Sequence, residues 1–103
     1  MIVYRTVVRG PEYERDHAEM TQLLDDLAAR TPGFIATETF EGGPGETIGM
    51  MRFESEDAVT AWRDHPDHQR THVRGVDEVY SSYRVEVFEL VRQAGFDLDA
   101  EQP

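Results

Sequence analysis

The sequence predicts an α+β fold in which one antiparallel sheet carries its helices on a single face. Three observations predict it: four runs rich in β-branched and aromatic residues, apolar residues at helical spacing between them, and glycine or proline at most boundaries. Their order along the chain is β-α-β-β-α-β, the order of a ferredoxin-like fold. The 103 residues suffice for one such domain and are too few for two separate cores.

The first half of the chain predicts a strand, a helix and a hairpin. Residues 1–9 are rich in valine, isoleucine, tyrosine and threonine, and Gly10-Pro11 end this strand. A helix from Pro11 to about Arg30 follows, and residues 34–41 and 46–54 form two strands joined by a glycine-rich turn at 42–45. The apolar face of the helix carries Tyr13, His17, Met20, Leu24 and Leu27.

The second half predicts a broken helix and a last strand. Ser55 or Asp57 caps a helix that contains Trp62, and Pro66 breaks the helix near His65. The segment after the break holds His68 and His72 and weakens at Gly75. Residues 80–91 form the fourth strand, so the domain spans 1–92, and the acidic tail 93–103 has little to bury.

Charge and composition exclude several classes of partner. Twenty-one acidic residues against ten arginines give a formal net charge of −11, which disfavours nucleic acid and membrane surfaces. The chain has no cysteine, hence no disulfide and no thiolate chemistry. Its first residues are too short and too charged for a signal peptide or a membrane span. We therefore expect a soluble, cytoplasmic protein.

Both faces of the predicted sheet carry apolar residues. Strand three places Ile48 and Met50 on one side and Met51 and Phe53 on the other. The helices cover one face, and a second copy of the chain is the simplest cover for the other. The sequence therefore predicts a homodimer that packs sheet to sheet.

The segment AWRDHPDHQRTH, residues 61–72, holds three of the four histidines and the only tryptophan. His68 and His72 are four residues apart and share a helix face, whereas Pro66 separates His65 from them. A zinc site needs three or four ligands, and no companion ligand pair appears, so we predict no metal. Solvated or ordinary hydrogen-bonded histidines remain the plain alternative. His17 is either a hydrogen-bonded core residue or points into a cavity between helix and sheet.

Four segments resemble the antibiotic biosynthesis monooxygenase family and follow its order over about residues 1–91. They are PGF at 32–34, RFES at 52–55, AWRDHPDH at 61–68 and YSSYRVEVFEL at 80–90. The resemblance implies ferredoxin-like subunits that pair into a dimeric α+β barrel. It also implies a pocket between the sheet and the helices of each subunit.

The resemblance implies cofactor-independent oxygenation of an aromatic, anthrone-like or quinone-forming polyketide substrate by dioxygen. Trp62 matches the pocket tryptophan of the family, and Arg84 resembles its anion-stabilising arginine. His68 stands where some members carry a tyrosine and is the candidate base, since an imidazole titrates near neutral pH. His72 and Tyr83 complete the expected substrate pocket. Ala58 departs from the family, because some members have an asparagine there.

Two alternatives remain open. Heme-degrading monooxygenases of the same fold have an axial histidine about ten residues after the tryptophan, and His72 stands ten after Trp62. The asparagine that those enzymes use on the first strand is missing here, so heme ranks below the cofactor-free reaction. A non-catalytic small-molecule-binding or stress-response dimer on the same scaffold is the third possibility.

Overall fold

The computed structural model describes residues 1–98 and has a four-stranded antiparallel sheet with helices on one face. The sheet order is β2-β3-β1-β4, so the predicted ferredoxin-like α+β fold is confirmed. The acidic residues 99–103 of the predicted tail lie outside the described residues. The strands are β1 (Ile2–Val8), β2 (Phe34–Glu41), β3 (Glu46–Phe53) and β4 (Tyr80–Val87).

The helical layer contains three α-helices and two shorter turns. The helices are α1 (Glu14–Ala29), α2 (Glu56–Arg63) and α3 (Pro66–Arg74); a 3₁₀ turn (Pro11–Tyr13) precedes α1 and a π-helical turn (Gly75–Val79) follows α3. Ser55 caps α2 as predicted, because its side chain accepts a hydrogen bond from the Ala58 amide at 3.2 Å. Pro66 starts α3, which confirms the predicted break.

One boundary differs from the prediction. Strand β4 ends at Val87 and not at 91, since its ladder with β1 stops where β1 begins, at Ile2. The weakening expected at Gly75 is present: the α-helix ends at Arg74 with Gly75 as its C-cap, and a π-helical turn continues to Val79. Glycine at this position also allows a close approach, described below.

The sheet packs against the helices through two apolar clusters. The larger one joins Met51 and Phe53 of the sheet to Leu27 of α1 and Trp62 of α2. The smaller one, at the opposite end of β1, consists of Val8, Met20 and Val79, with Tyr13 and Tyr80 packed against it. A gap between the two clusters is the position of the candidate site.

The face of the sheet turned away from the helices is only partly covered. Alternation along the strands puts Val3, Val7, Ile48 and Met50 on this face, because their neighbours Ile2, Thr6, Val8 and Met51 are buried under the helices. Phe40 on the edge strand β2 is 49% exposed. The two-sided apolar pattern read from the sequence is therefore present in the fold. Within the described part of the chain, none of the helices has the length and apolar character that crossing a membrane requires.

Candidate active site

A cavity of about 140 Å³ lies between the sheet and the helices. Its lining is predominantly apolar and comes mainly from β1, β4 and the three helices, with Met51 of β3 and Val76 of the π-helical turn. For comparison, an engineered apolar cavity of about 150 Å³ admits a benzene molecule. The cavity thus encloses about one aromatic ring, and a larger ligand must extend through its mouth.

Four of the five residues that the sequence predicted for one pocket line this cavity: Trp62, His68, His72 and Tyr83. Helices α2 and α3 supply the first three from one side, and β4 supplies the tyrosine from the other. The break at Pro66 allows α3 to turn so that both of its histidines point back towards the sheet.

Trp62 is held in place by a hydrogen bond and by ring packing. It is 6% exposed, its indole N–H donates to the Leu24 carbonyl at 3.1 Å, and its ring lies 5.7 Å from that of Phe53. Because the N–H is already bonded to α1, the indole contributes an apolar wall and no donor. This agrees with the wall role that the family resemblance implied.

His68 stands edge-on against Trp62, with ring centroids 4.3 Å apart and planes at 81°. Its Nδ1 is buried and has no hydrogen-bond partner among residues 1–98. Burial, with a smaller contribution from the neighbouring His72, lowers the pKa of His68 to about 4. The imidazole is therefore neutral at physiological pH, which corrects the ordinary histidine value assumed from sequence.

His72 faces Tyr83, with ring centroids 5.1 Å apart and planes at 66°. His72 is half-buried, and burial raises the pKa of the Tyr83 phenol, which keeps its proton at neutral pH. These two rings form the wall of the cavity between α3 and β4.

The placement of Arg84 in the pocket was wrong. Arg84 pairs in register with Arg5, whereas Tyr83 pairs with Thr6 beneath the helices. Consecutive strand residues point to opposite faces, so Arg84 projects from the face away from the cavity. An oxyanion inside the cavity therefore depends on another donor.

His65 is separated from the other two histidines. Its Nδ1 accepts the Asp67 amide at 3.1 Å and caps α3, and it does not line the cavity. Among residues 1–98 no group of three histidine, cysteine, aspartate or glutamate side chains is placed to hold a metal ion. The histidine-rich segment therefore divides into one helix cap and two cavity residues.

Tyr80 was not predicted as a site residue from the sequence, and two roles were left open for His17. His17 is in fact both hydrogen-bonded and part of the cavity wall: Nδ1 lies 2.7 Å from the Tyr80 hydroxyl and Nε2 lies 3.0 Å from Thr47 Oγ1. Burial lowers the pKa of His17 and raises the pKa of Tyr80 to about 12. The placement of His17 in the apolar stripe of α1 was the only sequence signal for this group.

The fold and its cavity define a small α+β protein with a mainly apolar cavity between sheet and helices, about the size of one aromatic ring. A family model described as antibiotic biosynthesis monooxygenase matches residues 6–74. The chain belongs to this family. Membership supports a monooxygenase-like function.

Individual relatives agree with this assignment. YqjZ of Bacillus subtilis (strain 168), described as uncharacterized, is 33% identical over 95 residues, which cover 90% of this chain and 83% of that protein. The structure of Rv0793 from Mycobacterium tuberculosis has a TM-score of 0.78 at 18% identity and covers 91% of this chain and 96% of its own. The structure of SnoaB from Streptomyces nogalater, a cofactor-independent oxygenase, has a TM-score of 0.70 at 17% identity and covers 89% of this chain and 92% of its own. At such identities the two structures show a shared fold.

Proposed function

We propose that the chain is a cofactor-independent monooxygenase that oxidises a phenolic or quinone-forming aromatic molecule in this cavity. The observation that carries the proposal is a neutral His68 in an apolar recess beside the wall formed by Trp62, with a buried ring nitrogen that no described residue hydrogen-bonds. Family membership and the shared fold with SnoaB support the same reaction class.

His68 is the proposed base. A neutral imidazole accepts the proton of a bound phenol or activated methylene without first losing one. Its low pKa reflects desolvation of the charged form, and a substrate anion formed beside it stabilises the imidazolium by ion pairing. The ion pair that forms on proton transfer is therefore stabilised by the attraction between its two charges, which little water screens.

The reaction needs only the substrate and dioxygen. The substrate anion transfers one electron to dioxygen, and the resulting radical and superoxide combine to a peroxide. Loss of water from the peroxide leaves one oxygen atom as a carbonyl, so a methylene becomes a carbonyl and the second oxygen becomes water. The protein contributes the base, the ring-sized slot and the exclusion of bulk water.

Oxygen consumption tests the proposal. We expect an anthrone or a naphthol to give oxygen uptake that falls by about 10²- to 10⁴-fold in His68→Ala, the range for loss of a general base. His65→Asn is the matched control, since it removes a histidine from the same segment but keeps a capping side chain at the start of α3. Wild-type uptake that persists in His68→Ala contradicts the role of His68. Aromatic binding without any uptake favours the non-catalytic alternative.

Heme binding is the second candidate because His72 lines the cavity at a half-buried position. The enclosed volume of about 140 Å³ admits one ring, so a porphyrin would have to lie almost entirely outside it, whereas an anthrone or a naphthol can insert one of its rings. Titration of hemin into the protein decides between heme binding and the cofactor-independent reaction. A Soret shift that is lost in His72→Ala supports heme; an unchanged hemin spectrum removes this candidate.

We also propose that the protein is a homodimer paired through the sheet face opposite the helices. Val3, Val7, Ile48 and Met50 form an apolar stripe on this face, and the Arg5–Glu46 ion pair lies beside them. Cover by a second copy removes this apolar surface from water.

A further inference from the structure

We propose that Tyr80 is the hydrogen-bond donor that holds the oxyanion of the bound molecule, and that His17 positions it. The inference rests on the proposed function for the identity of the anion, and it assigns to Tyr80 the stabilising role for which Arg84 is misplaced. Tyr80 lines the cavity at the end of β1 opposite the Trp62 cluster, in contact with Val8, Met20 and Val79. It is thus on the same side of the sheet as His68.

A β-bulge directs Tyr80 into the cavity. Tyr80 and Tyr83 are three residues apart, so in a regular strand they point to opposite faces, yet both line the cavity. The β1–β4 register shifts between Val7, which pairs with Ser82, and Val8, which pairs with Tyr80. Ser81 is the extra residue, and its hydroxyl donates to the Val7 carbonyl at 3.2 Å. Bulges commonly re-aim a side chain beside an active site.

The π-helical turn before β4 makes room for the phenol. A Cβ atom on Gly75 would lie 2.8 Å from Cε2 of Tyr80, so only glycine allows the ring to lie in this position without a shift. The Tyr80 amide closes the turn by donating to the Gly75 carbonyl. Single π-helical turns occur frequently at functional sites.

His17 controls the direction in which Tyr80 donates. If the Thr47 hydroxyl donates to Nε2, the Nδ1–H donates to the Tyr80 oxygen, and the phenolic proton is free for a ligand. In the opposite tautomer the phenol donates its hydrogen bond to Nδ1 and has no proton left for a ligand. A bound oxyanion needs a donor and therefore selects the first arrangement.

The protonation of both groups suits this role. The pKa of Tyr80 is raised to about 12 by burial, so the phenol keeps its proton beside an anion. Burial lowers the pKa of His17, although the Glu14 carboxylate opposes this. The imidazole therefore stays neutral, and the hydrogen bond from Tyr80 and not a charged His17 holds the anion. Trp62 offers no alternative donor because its N–H is bonded to Leu24.

Binding of 4-nitrophenol tests the inference without any turnover. The bound anion and the neutral form differ in colour, and Trp62, the only tryptophan, reports binding by its fluorescence. We expect Tyr80→Phe to weaken 4-nitrophenolate binding by about 10- to 100-fold, the range for a hydrogen bond to a charged group. Nitrobenzene, which lacks the oxyanion, should bind equally well to both proteins.

Variants of His17 separate positioning from packing. His17→Leu should show part of the Tyr80→Phe loss, and His17→Asn, whose amide can donate to Tyr80 in place of Nδ1, should restore affinity. Tyr13→Phe is the matched control, because Tyr13 packs against the same small cluster but does not line the cavity. Restoration by asparagine but not by leucine supports an orienting hydrogen bond.

Three results overturn the inference: unchanged nitrophenolate affinity in Tyr80→Phe, equal losses for nitrophenolate and nitrobenzene, or a selective loss in Tyr83→Phe instead. Failure of the proposed function gives a different result, namely oxygen uptake that is absent or insensitive to His68→Ala. Nitrophenolate affinity therefore tests the role of Tyr80 separately from the oxygen-uptake test of His68.

Discussion

At the scale of single residues, the site depends on a histidine that the fold keeps neutral. His68 is edge-on to the Trp62 indole and sits beside His72 in an apolar recess. Charging it would place a cation next to a second imidazole with little water to solvate it. The low pKa of His68 is a direct consequence of this environment.

This environment predicts a stability that depends on pH. Above about pH 6.5 the His68 imidazole is neutral in both the folded and the unfolded chain and adds no pH dependence. As the pH falls from 6.5 towards about 4, the unfolded chain takes up the proton first, so the free energy of unfolding decreases. We expect His68→Phe, which removes the titrating group and keeps a ring, to show a smaller loss of melting temperature across this window.

Melting curves at half-unit pH steps measure this difference. His65→Asn provides the comparison for loss of a histidine from the same segment outside the cavity. If His68→Phe and the wild type lose melting temperature in parallel between pH 6.5 and pH 4, His68 is charged in the folded protein and the assignment of a neutral base is wrong.

At the level of residues, helix periodicity predicted the site better than the strand residues were predicted. His68 and His72, four residues apart on one helix, both line the cavity, and so does Trp62, which the family resemblance placed in the pocket. Tyr83 and Arg84 were assigned to the same pocket, although adjacent residues of one strand point to opposite faces. The family resemblance suggested the arginine, and the alternation of β4 excludes it.

At the scale of elements, Ser55 holds the start of the helix that carries Trp62. Its side chain accepts the Ala58 amide at 3.2 Å, and Ala58, Val59 and Trp62 are all buried. We expect Ser55→Ala to lower the free energy of unfolding by about 1 kcal/mol through loss of this cap. Ser55→Asp, which retains a capping oxygen, should stay near the wild-type value.

Urea denaturation followed by circular dichroism measures the effect of both variants. We expect Ser55→Ala to have a lower denaturation midpoint with an unchanged slope. Ser55→Asp should keep both the midpoint and the slope of the wild type. Equal stability of the alanine variant and the wild type would show that burial of Trp62 alone fixes the start of α2.

Element boundaries were predictable where a single residue type enforces them. Pro66 breaks the helix and Ser55 starts it, and both effects are local in sequence. The bulge at Ser81 and the π-helical turn after Gly75 depend on how β4 pairs with β1, a register that local sequence does not encode. Tyr80 was missed for this reason, since its direction is set by the bulge.

At the scale of the whole molecule, the chain leaves two apolar surfaces open to solvent. One is the half-buried stripe of Val3, Val7, Ile48 and Met50 on the free face of the sheet, which is only partly exposed. The other is the extension after β4, in which Val91 is 89% and Phe96 75% exposed. The radius of gyration is 15.4 Å, whereas about 13 Å is typical of a compact chain of this length. Both surfaces are accounted for if a second copy covers them.

The free sheet face offers a position at which dimerisation can be tested without unfolding the monomer. Met50 pairs in register with Glu38 on β2 and with Val3 on β1, and Val3 in turn pairs with Glu86 on β4. A lysine at position 50 therefore has the acidic neighbour Glu38 within the monomer but would place a charge at the centre of a sheet-to-sheet interface. We expect the wild type to be a dimer at micromolar concentration and Met50→Lys to be a folded monomer, by size-exclusion chromatography with light scattering. Ala61→Lys on the exposed side of α2 is the control and should remain dimeric. A monomeric wild type, or a Met50→Lys variant that stays dimeric, would show that the two copies do not meet through this face.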